Sequence, residues 1–207
     1  MPIIEPRQPT DRKLFDVPGG STRSFSLGAR SQDWHLYAGG YKLAADRLVS
    51  QLTEHGTHTD YVCIPILFLY RHYVELYLKA LLRDVGELLD ASEELPLIHP
   101  LLPLWRRLRT RLVAFDPGND SAWNDRAEAL VAELDSMDAG SFTFRYPEDR
   151  EGTVTIKPAL AVDIFHFRDV LAELELVLNG ADGYVAEYLG VKRDHDDEVA
   201  DFSLYYA

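Results

Sequence analysis

Cysteine is almost missing from this sequence. The single cysteine, Cys63, leaves no pair that could form a disulfide within the chain. Disulfides are common in secreted proteins and rare in reducing compartments. The first residues, 1–13, also lack the apolar run of a signal peptide. We therefore expect a cytoplasmic protein.

Uninterrupted apolar runs of membrane-spanning length are absent as well. The apolar stretch 64–82 is interrupted by four polar side chains, which are Arg71, His72, Glu75 and Lys79. Because charged groups are rare in the middle of a membrane helix, we expect no membrane-spanning segment. The sequence also contains no internal repeat and no low-complexity segment.

Positive charge is scarce. Lys and Arg together number 21 against 34 Asp and Glu, and the formal net charge is −13. A surface of this sign repels the phosphate backbone, so bulk binding of DNA or RNA is excluded and any nucleic-acid contact has to be local. The sequence contains one basic cluster, which consists of Arg106, Arg107, Arg109 and Arg111. This cluster is either a solvated helix face or a phosphate-binding site.

The pattern of apolar residues predicts the fold class. The chain has 207 residues, of which 46% are hydrophobic, and this is enough for one sizeable core. Apolar residues recur at helical spacing through most of the chain, but they alternate in SFTFRYP and TVTIKP on either side of the turn-forming EDREG. We predict an all-α fold, a bundle of five to six helices with one β-hairpin insertion at about 141–158. The predicted helices are 31–52, 61–83, a third from 103, 122–137, 159–178 and 181–189.

The chain divides into three predicted parts. Four prolines and a Gly-Gly pair make residues 1–30 an extended N-terminal arm. Residues 31–190 form a single helical domain that includes the hairpin. Residues 191–207 form an acidic C-terminal tail with an apolar end.

The central helix carries an ordered row of charges. Arg71, Glu75, Lys79 and Arg83 follow one another at four-residue steps and form what we call the polar stripe, and His72 lies on the same side. One interpretation is a half-buried ladder of ion pairs where another helix packs. The other is a site in which His72 transfers a proton while a neighbouring arginine stabilises developing phosphate charge.

A short polar loop follows the first predicted helix. It places His55, His58 and Asp60 within six residues, a spacing that could hold a divalent metal. Short polar loops with glycine are also ordinary helix connectors, and no second ligand cluster accompanies this one. The sequence therefore predicts no metal and no cofactor.

Residues 31–113 contain three helical stretches that belong together, WHLYAGGYKLAADRLV, YRHYVELYLKALL and IHPLLPLW. In this order they resemble the HEPN family, the helical nucleotide-binding domains of prokaryotes and higher eukaryotes. In that family a helix reading roughly A-x-E-x-x-x-K-A-L-L precedes a loop with H-x-L. Glu75, Lys79 and His99 occupy these positions here, although Pro100 follows His99 where the family has a polar residue.

The resemblance carries expectations about chemistry. Family members with ribonuclease activity have an Arg followed by His after four to six residues, and they act as metal-independent dimers in abortive-infection and toxin systems. The match to that spacing here is Arg30-SQDW-His35, at the start of the first helix. A chain with this many Arg and His residues is expected to contain such a match by chance.

Two functions are consistent with these observations. The first is a HEPN-like cytoplasmic protein that engages RNA or nucleotide in phage defence or a toxin-antitoxin system. If it is an enzyme, it is a metal-independent ribonuclease with five catalytic candidates and four phosphate-binding ones: Arg71, His72, Glu75, Lys79 and His99, and Arg106, Arg107, Arg109 and Arg111. The alternative is a non-catalytic dimerising or partner-binding module. Either way we expect a homodimer, because pairing would bury the apolar arm, the end of the tail and the hairpin edges.

Overall fold

The structure, a computed structural model, describes residues 33–55, 59–91, 98–156 and 161–205. The regular elements within these ranges are all helical, which confirms the predicted all-α bundle. The α-helices are α1 (Trp34–His55), α2 (Thr59–Leu88), α3 (Leu101–Phe115), α4 (Ala122–Asp138) and α5 (Ile164–Tyr205), and a short 3-10 helix spans Pro117–Asn119. The predicted N-terminal arm lies outside the described residues.

Helix α2 is the centre of the bundle. It is 30 residues long, and every residue from Tyr73 to Leu82 is buried. Helices α1, α3 and α5 pack directly on α2, and α4 packs on α3 and α5. No helix in the described part of the chain is both long enough and apolar enough to cross a membrane.

The surrounding helices each bury one apolar face, as their 3.6-residue periodicity predicts. Each of these faces supplies apolar side chains to one continuous core. Buried residues on these faces include Ala38, Ala45 and Val49 of α1, Leu104, Trp105 and Leu108 of α3, Ala127 and Val131 of α4, and Leu174, Leu178 and Val185 of α5.

The first turn of α1 is fixed by a side-chain cap. The Oδ1 atom of Asp33 accepts a hydrogen bond from the backbone N–H of Leu36 at 2.8 Å. An aspartate in this position satisfies an amide that has no partner within the helix. The helix therefore begins at Trp34, three residues later than the sequence pattern suggests.

The predicted β-hairpin is the main correction to the fold. The chain does reverse at EDREG, where Gly152 has a φ of +77°. Pairing among the described residues of this segment, however, is limited to one antiparallel bridge between Glu148 and Val154, with no strand. The amides of Phe142 and Thr143 donate instead to the Oδ1 atom of Asp138, at 2.6 and 2.8 Å. Because these donors are taken up by a side chain, the alternating pattern of SFTFRYP does not become a strand.

Helix α5 is longer than the sequence predicts. Its 42 residues run through Asn179–Gly180 and Gly190, which were expected to end two separate helices, and continue into the predicted tail as far as Tyr205. Each glycine costs a helix about 1 kcal/mol relative to alanine. Leucines are buried before and after the Asn179–Gly180 pair, at Leu178 and Leu189, so packing on the core outweighs the weak helix propensity of the glycines.

Candidate functional site

The polar stripe of α2 is mostly enclosed by the bundle. Arg71 is 0% exposed, Glu75 is 2% exposed and Lys79 is 5% exposed, whereas Arg83 is exposed. These three buried residues lie at four-residue steps, so the helix itself brings their charged groups together. The predicted row of ion pairs is present, and it lies inside the protein.

Arg71 uses all three of its nitrogens on protein groups. Its Nε donates to the backbone oxygen of Asp138 at 3.2 Å, and one terminal nitrogen donates to the backbone oxygen of His99 at 2.6 Å. The other terminal nitrogen donates to the carboxylate of Glu75. The guanidinium thus ties α2 to the end of α4 and to the residues that precede α3.

Glu75 is the centre of the network. Besides the bond from Arg71, its Oε1 accepts a hydrogen bond from the Nζ of Lys79 at 2.7 Å and lies 3.1 Å from the Nδ1 of His99. Burial alone would raise the pKa of Glu75, but the hydrogen bond and charge of Lys79, together with those of Arg71, outweigh it and hold the pKa below its usual value. Glu75 is therefore ionised, and its charge is compensated by two buried cations.

Asp138, at the end of α4, completes this network, and the sequence does not identify it as a site residue. Its side chain is fully buried, with Oδ2 at 3.5 Å from the Nε of Arg71. That oxygen has no hydrogen-bond partner among the described residues, while Oδ1 holds the two amides that follow α4. No motif surrounds Asp138, because its role depends on a contact with a residue 67 positions away.

Two histidines border the buried carboxylate of Glu75. The Nδ1 of His72 lies 4.0 Å from Oε2, and the side chains of His72 and His99 are 24% and 56% exposed. His72 is packed edge-on against Tyr41 and stacked on Phe68, with ring centroids at 4.4 and 5.5 Å. Burial lowers the pKa of His72, and the Glu75 carboxylate opposes this only in part, so the neutral imidazole is favoured.

The arginine cluster of α3 is largely occupied by carboxylates. Arg106 pairs with Glu128 at 2.8 Å, and Arg109 is 2.6 and 2.7 Å from Asp120 and Asp125. Arg109 also pairs with Glu128 at 3.3 Å, so these contacts fasten α3 to α4 and to the loop between them.

The other two arginines of the cluster, Arg107 and Arg111, are half-buried, and Arg111 donates to the backbone oxygen of Leu82 at 3.4 Å. A phosphate group at this cluster would therefore have to displace carboxylate and backbone oxygens that the arginines already contact.

The possible metal ligands of the sequence, His55, His58 and Asp60, lie at the junction of α1 and α2 along the chain. His58 and the side chain of His55 lie outside the described residues, and Asp60 is exposed in the first turn of α2. The described residues do contain a different cluster of metal-ligand type, which consists of His35, Asp84 and Asp182.

Comparison with known proteins returned no relatives. No family model matches the chain. No curated protein matches it either. No solved structure matches its fold. The resemblance of residues 31–113 to HEPN domains therefore stays a hypothesis, and any function has to be argued from the geometry of the side chains.

Proposed function

We propose that this chain is a non-catalytic helical module that dimerises through the exposed face of α1, and that its polar stripe is structural. The observation that carries the proposal is the closure of the network around Glu75. A residue that stabilises a transition state has to reach the substrate, and Arg71 is fully buried with each nitrogen bonded to protein. Its guanidinium holds three segments of the fold together instead.

The exposed face of α1 has the features of a helix-docking surface. Leu36 and Leu43 are 47% and 51% exposed, and Gly40 lies between them on the same face. A Cβ atom built on Gly40 would meet nothing within 4 Å, so this glycine is not required by packing inside the chain. A glycine between two exposed leucines allows the backbone of another helix to approach closely.

The spacing of residues along this face favours a second copy of the chain as its partner. Asp33, Leu36, Gly40, Leu43 and Arg47 follow one another at steps of three and four residues, the spacing of a helix-pairing seam. If two α1 helices pair antiparallel about Gly40, each Leu36 meets Leu43 of the second copy and each Asp33 meets Arg47 of the second copy. Such a pairing would match leucine with leucine and aspartate with arginine on both sides of the axis, as a two-fold interface requires.

Light scattering after size-exclusion chromatography tests this proposal. We expect the full chain to have the mass of a dimer at micromolar concentration and Leu43→Glu to have the mass of a monomer, because the variant places two like charges in a desolvated seam. Leu176→Glu is the matched control, since Leu176 is a 67% exposed leucine on α5, outside the seam, and its replacement should leave the dimer intact. A monomeric wild type, or a Leu43→Glu variant that remains dimeric, would refute the interface.

A second candidate function is the engagement of RNA or nucleotide, with metal-independent cleavage in phage defence or a toxin-antitoxin system. One observation favours it. His72 and His99 both border the ionised carboxylate of Glu75 and both reach the surface, so two imidazoles are available as proton donor and acceptor. The acidic surface of the chain and the occupied arginines of α3 count against this candidate.

Incubation with total RNA in EDTA separates the two candidates. We expect intact RNA with the wild type, as the non-catalytic proposal requires. Cleavage that His72→Ala or His99→Ala reduces by about 10²–10⁴-fold, the usual contribution of a general acid or base, would overturn that proposal. His166→Ala is the control, because His166 is an exposed histidine on α5.

A further inference from the structure

Three potential ligands from three different helices meet at one point on the bundle. His35 comes from the first turn of α1, Asp84 from the C-terminal part of α2 and Asp182 from the middle of α5. The Nε2 atom of His35 lies 2.6 Å from Oδ2 of Asp84 and 4.0 Å from Oδ1 of Asp182. One ligand atom from each residue lies within 4.8 Å of the other two.

An ion pair accounts for only part of this arrangement. The Nε2 of a histidine carries at most one hydrogen, and the short distance to Asp84 assigns it to that carboxylate. Oδ1 of Asp182 faces the same nitrogen from beyond hydrogen-bond distance. Two carboxylates thus share one imidazole, in a chain whose net charge is −13. A divalent cation would compensate both of them.

Tyr77 orients two of the three ligands from inside the bundle. Its hydroxyl lies 3.0 Å from Oδ2 of Asp182 and 2.8 Å from Oδ1 of Asn179, and its one hydrogen is shared between these two acceptors. This contact holds the Asp182 carboxylate by Oδ2 and leaves Oδ1 directed at His35. Its ring packs edge-on against the imidazole of His35, with centroids 5.8 Å apart and an interplanar angle of 80°. Metal sites commonly have such a buried residue that holds the ligands in place.

The distances suit a first-row transition metal. Zinc bonds to histidine nitrogen and carboxylate oxygen are ~2.1 Å long, so neighbouring ligand atoms in a tetrahedral site are ~3.4 Å apart. The observed separations of 2.6 and 4.0 Å bracket that value, and small side-chain rotations would equalise them. All three side chains are only half-buried, so water can complete the coordination.

We infer that His35, Asp84 and Asp182 form a binding site for one divalent transition-metal ion. A set of one imidazole and two carboxylates suits Zn²⁺ or Mn²⁺ better than Mg²⁺, which prefers oxygen ligands alone. The ion would join α1, α2 and α5 on the side of α2 that carries Tyr77. This inference is independent of the proposed dimer and of the RNA-binding candidate.

Calorimetric titration of the full chain with Zn²⁺ in a non-chelating buffer tests the site. We expect one ion per chain for the wild type, and affinity weaker by about tenfold or more for Asp182→Asn and for Tyr77→Phe. Tyr77→Phe removes no ligand, so a loss of affinity there reports on orientation of the site. Asp46→Asn is the matched control, because Asp46 is a half-buried α1 aspartate that also accepts a tyrosine hydroxyl hydrogen bond, from Tyr70 at 2.8 Å, and lies outside the cluster.

The same titration can overturn the inference. Absence of Zn²⁺ binding by the wild type would show that the cluster is only an ion pair. Equal binding by the wild type and Asp182→Asn would place the ion elsewhere on the chain. A rise in melting temperature on addition of Zn²⁺ that Asp182→Asn abolishes is the expected second readout, since an ion that binds only the folded state stabilises it.

Discussion

Replacement of Glu75 by alanine is expected to lower the free energy of unfolding by about 3–5 kcal/mol. This is the usual result when one partner is removed from a buried ion pair and the other charge is left without compensation. Here the buried Lys79 loses its carboxylate partner and the buried Arg71 keeps only Asp138, because both cations bond to Glu75 and are 5% and 0% exposed. Urea unfolding followed by circular dichroism measures the change.

Glu128→Ala is the matched control for that measurement. Glu128 also pairs with two cations, Arg106 and Arg109, but the Arg106 side chain is 62% exposed. Exposed pairs contribute about 0.2–1 kcal/mol, so the control should lose far less stability than Glu75→Ala. A loss of less than about 0.5 kcal/mol for Glu75→Ala would mean that the polar stripe is hydrated in solution.

Acidification should remove the stability that the ionised Glu75 contributes. The pKa of Glu75 in the folded protein is lowered from its ordinary value of 4.5. A carboxylate with a lowered folded-state pKa contributes stability that is fully present above its unfolded pKa and is lost as the pH falls through the folded pKa. The wild type should therefore lose more stability than Glu75→Gln between neutral pH and a pH below 4.5.

The sequence was sufficient to predict the structural features that depend on the spacing of nearby residues. The i, i+4 spacing of Arg71, Glu75 and Lys79 predicts that they meet, because a helix places such residues on one side. For the same reason the all-α class and the first four helices could be anticipated to within a few residues. The sequence left open whether the stripe is a half-buried ladder of ion pairs or a reactive site, and the structure shows that Arg71, Glu75 and Lys79 are buried.

The sequence was not sufficient to predict contacts between side chains that are far apart along the chain. His35 and Asp84 are separated by 49 positions, and Arg71 and Asp138 by 67, so neither contact leaves a periodic signal. The hairpin prediction was wrong for a related reason. The alternation in SFTFRYP favours a strand, but a carboxylate on the preceding helix takes up two of its amides.

The glycines in α5 suggested helix ends that the structure does not have, because a weak local signal was given too much weight. Asn179–Gly180 is typical of a helix end, and its effect is local and weak. The leucines at Leu178 and Leu189 lie in the core, and a helix that continues between them buries both. Tertiary packing contributes more than the propensity of two residues, so the helix continues.

Replacement of Asp138 by alanine is the second change that should be strongly destabilising, by about 3–5 kcal/mol. The loss has two parts. The buried Arg71 loses the carboxylate oxygen 3.5 Å from its Nε, and the amides of Phe142 and Thr143 lose their acceptor. Unsatisfied buried donors cost about 1–3 kcal/mol each, although water can reach part of this segment.

The free energy of unfolding of Asp138→Asn should lie between those of the wild type and Asp138→Ala. Its amide oxygen can still accept from the backbone of Phe142 and Thr143, but the neutral amide no longer compensates the charge of Arg71. Equal stability of the asparagine and aspartate proteins would mean that the charge contributes nothing and that the residue acts only as a cap.

Asp135→Ala is the control on the same helix. Asp135 also accepts a backbone amide, that of Leu101 at 2.6 Å, at the start of α3, where Pro100 offers no side-chain cap. It is less buried than Asp138, and the ion pairs of the buried cations Arg71 and Lys79 are made with Glu75 and Asp138. Loss of a cap costs about 1 kcal/mol, so Asp135→Ala should lose much less stability than Asp138→Ala, which also loses a second amide contact and the carboxylate beside the buried Arg71.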